Sequence, residues 1–311
     1  MLGGAIAAIL PRETRPRGTT AALVLGSLFP DADIVLAPPW FDVYFLHVHP
    51  AVSHALIWSP VEAIVFAGLL KVAMRGARFG VLALAGWIGV LGHVFSDFAD
   101  GSDIALFSPF SQVRYGWHLF GMAEPFVLAL LAAACVLAWR WPARARGAAL
   151  SAFAAIACIL AGKAVTQRWA GAQYVLSVPE PQNRVEIMPV RADLFAWDVY
   201  DQVDDRVRAW RIDGRTGRYG MLFERRNAGG AIVEASRRLP VVSSLIRRTT
   251  IQVIRVEHEG EDPVVMWSDA RMCGAQRCDV SFGGVFTPDG VPLSQLITVG
   301  EFRQHRPLPR E

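Results

Sequence analysis

Between residues 55 and 163 four apolar runs follow one another, at about 55–73, 79–96, 124–141 and 147–163, the second and third separated by a longer segment, 97–123. Each is near the ~17 to 25 residues that a helix needs to cross hydrocarbon. A weaker run lies at about 19–36, and the short piece 1–10 reads as part of another. The chain is 53% hydrophobic and 19% charged, with a mean hydropathy of +0.31, too apolar for an ordinary soluble protein of 311 residues. The expected fold is therefore a membrane helical bundle of about five to six spans, occupying residues 1–171.

Beyond it, residues 172–311 change character. "DRVRAWRIDGRTGRYGMLFE" reads as two strands around a Gly-containing turn, and "TTIQVIRVEHEG" and "CDVSFGGVFTPDGV" alternate with period two. A small β-rich domain outside the membrane is expected here. Cys273 and Cys278 flank "GAQR"; they form either a tight hairpin disulfide, if the compartment is oxidising, or two free thiols. Cys135 and Cys158 fall within spans and read as packing residues.

Charge is unevenly placed. The first 171 residues hold 12 Lys+Arg and 9 Asp+Glu, and the rest hold 19 of each, so no basic patch supports nucleic-acid binding. "PRETRPRG", "KVAMRGAR" and "RWPARARG" carry nine of those twelve basic residues. The segments 29–54 and 93–124 carry seven of the nine acidic residues and all five histidines of this part. The two kinds of segment alternate across the bilayer, and the positive-inside rule makes the basic ends cytoplasmic. The histidines and the β-rich domain then face outward, as expected of a multi-pass protein of a bacterial inner membrane. Arg114, Lys163 and Arg168 run against this pattern, while Trp139, Trp141 and Trp169 sit at interface depths.

The outward segments carry the chemistry. "GSLFPDADI" places Asp31 and Asp33 after Pro30, where a helix tends to end. "HVHPAVSH" holds His47, His49 and His54, with Pro50 suited to a helix first turn. In "GHVFSD", His93 and Asp97 are four apart and share a helix face, the arrangement by which one turn supplies two metal ligands. "YGWHLFGMAE" adds His118 and Glu124, the latter suited to favourable charge at a helix N-terminus. Ionisable groups gathered at one membrane face are costly unless paired, and a shared divalent cation satisfies them together. Imidazole and carboxylate suit zinc, manganese or iron.

"GSLFPDADI", "HPAVSH" and "GHVFSDFADGSDIALFSPF", in this order between apolar runs, resemble the bacterial membrane-bound metal-dependent hydrolases (YdjM-like). The resemblance covers residues 3 to about 125, and more loosely the later spans. It implies a divalent metal, foremost zinc, held by Asp31 or Asp33 with His49, His54, His93 and Asp97; His118 is a further ligand candidate. Asp31 and Asp33 share the metal or act as base toward water. More remotely the layout is similar to the zinc-dependent phospholipase C and single-strand nuclease fold, which implies a phosphoester substrate such as the head group of a membrane lipid. Two departures are visible. Pro50 and Ala51 stand where the family usually has Arg-Gly, and its N-terminal histidine has no counterpart before Gly3. "MLGGAIAAIL", with no basic residues before it, reads as the tail of a longer helix rather than a signal peptide, so an upstream apolar segment bearing a histidine is expected.

Two rival functions fit the same residues. One is an ion- or proton-coupled transporter, with Glu62 the acidic residue nearest the membrane middle. The other is a non-enzymatic scaffold with a structural metal, whose β-rich domain binds partners. His258 and Asp269, in that domain, read as solvated surface groups.

Overall fold

The computed structural model describes residues 1–32, 52–121, 123–182 and 184–308; Asp33, His47 and His49 lie outside these segments. The chain divides into a helical unit, Met1–Val165 with Pro189–Leu194, and a second unit, Thr166–Met188 with Phe195–Glu311.

In sequence order the longer helices are α1 (Leu2–Ile9), α2 (Thr19–Gly26), α3 (Ser59–Ala73), α4 (Phe79–Ala99), α5 (Pro125–Arg140) and α6 (Ala145–Ser177). Their ends follow local chemistry. Pro60 and Pro125 occupy the first turns of α3 and α5, where a missing N–H costs nothing. Glu62 opens α3 and Lys71 closes it, each matching the sign of the helix dipole.

Among the described residues two helical stretches, Phe79–Ala99 and Pro142–Ser177, are long and apolar enough to cross a membrane, against the five or six spans expected. The difference has a physical origin. Ala55 to Trp58 are mostly apolar but fold as a turn, with Trp58 N–H donating to Ala55 O at 3.0 Å. Pro60 then fixes the helix start, leaving α3 with 15 residues. At 1.5 Å per residue that is about 22 Å, short of the ~30 Å hydrocarbon core. Conversely α6 runs past residue 163 to Ser177, because Lys163, Gln167 and Arg168 are good helix formers despite their polarity.

Small residues set the crossing of α2 and α4. A Cβ on Gly26 would lie 2.5 Å from Gly86 O, and one on Gly89 would lie 2.6 Å from Leu23 O and 2.8 Å from Ser27 N. Only glycine allows the two backbones this near, the mode by which helices associate where no hydrophobic drive separates protein from lipid. Leu23, Phe66, Ala67, Leu82 and Ala85 pack around the crossing.

The second unit holds two antiparallel sheets, as the alternating segments predict. One has the order β1-β2-β3-β4: β1 (Val185–Pro189), β2 (Ala196–Val203), β3 (Arg206–Asp213) and β4 (Tyr219–Arg226). Two short helices follow, α7 (Ala231–Ser236) and α8 (Pro240–Arg248). The other sheet is a five-stranded meander: β5 (Gln252–Glu259), β6 (Asp262–Asp269), β7 (Val280–Phe286), β8 (Pro292–Val299) and β9 (Phe302–Arg306). Cys273 and Cys278 are joined in a disulfide across an isolated bridge, which settles the alternative that the sequence leaves open. His258 lies on β5, while Asp269 is buried and accepts hydrogen bonds from Arg271 rather than sitting in solvent.

At the heart of the first sheet Asp201 is fully buried. Its carboxylate accepts hydrogen bonds from Tyr174 Oη at 2.6 Å, Arg208 Nε at 2.7 Å and Trp210 Nε1 at 3.1 Å. Arg208 also donates to the carbonyls of Pro179 and Glu180, so the charge pair is hydrogen-bonded on both sides. Tyr174 belongs to the last turns of α6, and this network ties the helix end to the sheet.

Candidate metal centre

Three elements deliver the central side chains. The end of α2 and the Phe29-Pro30 bend present Asp31, the turn before α3 presents His54, and the last turns of α4 present His93 and Asp97. The two imidazole Nε2 atoms face each other at 3.2 Å. Asp31 Oδ1 lies 3.4 Å from His93 Nε2 and 3.6 Å from His54 Nε2. Asp97 Oδ2 approaches the same two nitrogens, at 2.9 Å from His54 and 3.4 Å from His93. His54 is 1% exposed, so its ring has little water to turn toward.

The orientation of His93 is fixed from behind. Its Nδ1–H donates to the carbonyl oxygen of Ser27 across 3.0 Å, which leaves Nε2 with the lone pair and aims it at the cluster. His54 Nδ1 is similarly engaged by Ser53 Oγ at 3.0 Å. The residues fit a metal by chemistry and by spacing. Asp31, His54 and His93 each bring one ligand atom within 4.8 Å of the others. With bonds of about 2.0–2.1 Å, two ligands of a tetrahedral zinc stand about 3.3 Å apart. The separations of 3.2, 3.4 and 3.6 Å bracket that value.

His118 and Asp103 form a separate pair, His118 Nε2 to Asp103 Oδ1 at 2.8 Å. The loop after α4 folds back through mutual Ile104–Tyr115 backbone hydrogen bonds, which carries residue 118 to residue 103. Gly116 lets the ring come close: a Cβ there would lie 2.6 Å from Ser102 O and 2.9 Å from His118 Nε2. Asp100, just past α4, accepts the Ser102 N–H at 2.6 Å, yet burial pushes its carboxyl up to about 6.

Of the residues read from the sequence, Asp31, His54, His93 and Asp97 come together, His118 stands with Asp103, and Asp33 and His49 lie outside the described residues. Ser27, Ser53, Asp100 and Asp103 are further polar residues that the sequence did not single out. Ser27 acts through its carbonyl, which no side-chain pattern reveals; Asp100 and Asp103 stand in plain view within "DFADGSD". Glu124, at the N-cap of α5, is 5% exposed and its side chain makes no cap hydrogen bond. Both its carboxylate oxygens are buried without a hydrogen-bond partner among the described residues.

A family model described as YdjM inner membrane protein matches residues 1–170, more than half of the chain. No curated protein and no solved structure matches.

Proposed function

We propose that this chain, which belongs to the YdjM inner membrane protein family, is a metal-dependent hydrolase acting on a phosphoester such as a lipid head group. The observation that carries the reading is the convergence of His54 Nε2, His93 Nε2 and Asp31 Oδ1 at edges suited to one small divalent cation. Three protein ligands are what a catalytic zinc takes, with one position left for water or substrate. A cation held by these residues would lower the pKa of a bound water and polarise a phosphoryl oxygen.

The chain's own residues divide the remaining work. Ser27 O holds His93 in the tautomer that presents a lone pair. Asp97, whose carboxylate lies near both imidazoles, would complete the ligand set or help to hold the two rings in place. Asp31, half exposed, would share the metal or act as base toward an incoming water, and Asp33 is proposed for the same role. His49 is a further proposed ligand, and the His118–Asp103 pair is a proton carrier or additional ligand at the same loop. The proposed arrangement is multi-pass, with the metal centre and the C-terminal unit extracytoplasmic. The Cys273–Cys278 disulfide supports that side, since such bonds persist in oxidising compartments.

The test pairs metal analysis of detergent-purified protein with hydrolysis of bis(p-nitrophenyl) phosphate. Bound zinc, manganese or iron and hydrolysis abolished by chelation are expected. Protein that takes up no divalent ion would end this reading. A second reading, ion-coupled transport, is favoured by buried Glu124 and by buried Lys163 within α6, both in the helical unit. Uptake of a cation into proteoliposomes, lost in Glu124→Gln but not in His93→Ala, would select it.

A further inference from the structure

The end of α4 remote from His93 borders a feature of a different kind. A cavity of about 330 Å³ opens between α1, the start of α2 and the first half of α4. Ile6, Ile9, Leu23, Leu84 and Ile88 supply apolar walls. Among the described residues the polar lining side chain, Thr19, already donates its hydroxyl to Pro16 O at 2.8 Å. Leu84 and Ile88 are 58% and 41% exposed, so the cavity has an open side. Its walls offer an occupant no hydrogen bond; they suit an alkyl chain.

The rim is the reverse. The connection "PRETRPRG" carries three arginines and one glutamate. Arg15 reaches the lining itself, donating to Leu10 O at 2.5 Å and to Thr20 Oγ1 at 2.9 Å. Its Nε is buried with no hydrogen-bond partner among the described residues. Arg12 donates to Ala138 O at 3.1 Å. Burial and then the Arg12 charge lower the Arg15 guanidinium from its ordinary value, while Glu13 offsets this only in part. Three arginines against the single Glu13 carboxylate leave this connection net positive.

We propose that this cavity is a binding site for an anionic phospholipid, with an acyl chain against Ile6, Leu23, Leu84 and Ile88 and the phosphate at Arg12 and Arg15. Apolar walls alone would take any lipid tail. The arginines add selection by net charge, because a zwitterionic head group brings its own cation and cancels much of the attraction. The site is independent of the metal centre and of which face of the membrane holds each end.

Native mass spectrometry of the full chain, in detergent with equal phosphatidylglycerol and phosphatidylcholine of identical acyl chains, tests it. Wild-type protein should retain phosphatidylglycerol preferentially. Arg12→Gln and Arg15→Gln should each reduce the preference about fivefold, and Arg15→Lys should restore most of it. Leu84→Trp, on the open wall, should lower occupancy by both lipids while leaving the arginines in place. Equal retention of the two lipids by the wild type overturns the proposal, as does a preference that survives loss of both arginines. Glycerol phosphate competing as well as the intact lipid would also overturn it, because the cavity would then contribute nothing.

Discussion

His93 Nδ1 donates to Ser27 O at 3.0 Å, so a backbone atom at the end of one helix orients a metal-ligand candidate on another. That distance depends on how near α2 and α4 can lie, and Gly89 sets the limit. A methyl group at Gly89 would meet the backbone at Leu23 O and Ser27 N, which cannot swing aside as a side chain can.

Gly89→Ala should therefore cost about 1–3 kcal/mol of stability. It should also weaken divalent-ion binding about tenfold or more, the usual scale for loss of an orienting partner. Gly80→Ala, also on α4 but with nothing within 4 Å of the added atom, should leave both unchanged or slightly raise stability. Thermal unfolding and metal titration of the two variants separate these outcomes.

The metal centre itself makes a sharper demand. His93→Ala removes a ligand candidate, and Asp97→Asn keeps size while removing charge. Bound metal per protein should fall strongly in His93→Ala and by less in Asp97→Asn, with membrane insertion intact in both because apolar runs and basic loops direct it. Equal metal content across wild type and variants would place the ion elsewhere in the chain.

What could be read in advance followed from spacing. His93 and Asp97 declare themselves as an i, i+4 pair in an apolar run, and the strands around "DGRTG" declare themselves by alternation. What could not be read depended on partners. Ser27 contributes a carbonyl, Gly26 and Gly89 matter only once two helices are known to cross, and the Asp100 and Asp103 environments arise from a loop folding back on itself. Helix lengths failed for a related reason: Ala55–Trp58 are apolar but precede a proline, whereas Lys163 is charged but buried within α6, its Nζ donating to Asp193 O.

Asp201 offers a test in the second unit. Asp201→Asn leaves the buried Arg208 charge without its carboxylate, and breaking such a pair costs about 3–5 kcal/mol. Chemical denaturation followed by tryptophan fluorescence should report this through Trp210, which donates to the same carboxylate. A change smaller than about 1 kcal/mol would mean that the network is far better solvated than its burial indicates.

Asp100 predicts a pH dependence. Its folded carboxyl titrates near 6 against an ordinary value of 3.8, so the folded state holds the proton more tightly. The stabilisation is complete below about 3.8 and is lost as pH rises through about 6. Asp100→Asn keeps the oxygen that accepts Ser102 N–H and removes the charge. In chelator-treated protein the variant should unfold at higher temperature than wild type at pH 7.5, and the gap should close by pH 4. A gap that is constant with pH would assign the difference to packing.

The proposed orientation places the disulfide and the metal centre on one side and the basic connections on the other. A reporter that is active only outside the cytoplasm should be active when fused after Glu311 and silent when fused near Arg144, in the connection between α5 and α6. The two fusions test different facts: the first follows the side of the second unit, and the second follows the basic segment "RWPARARG". Alkylation offers an independent check. In intact cells Cys273 and Cys278 should resist a thiol reagent until a reductant is added, because their sulfurs are already joined. Activity at Arg144 with silence at Glu311, together with freely alkylated thiols, would invert the orientation and move the His54–His93 cluster to the cytoplasmic face.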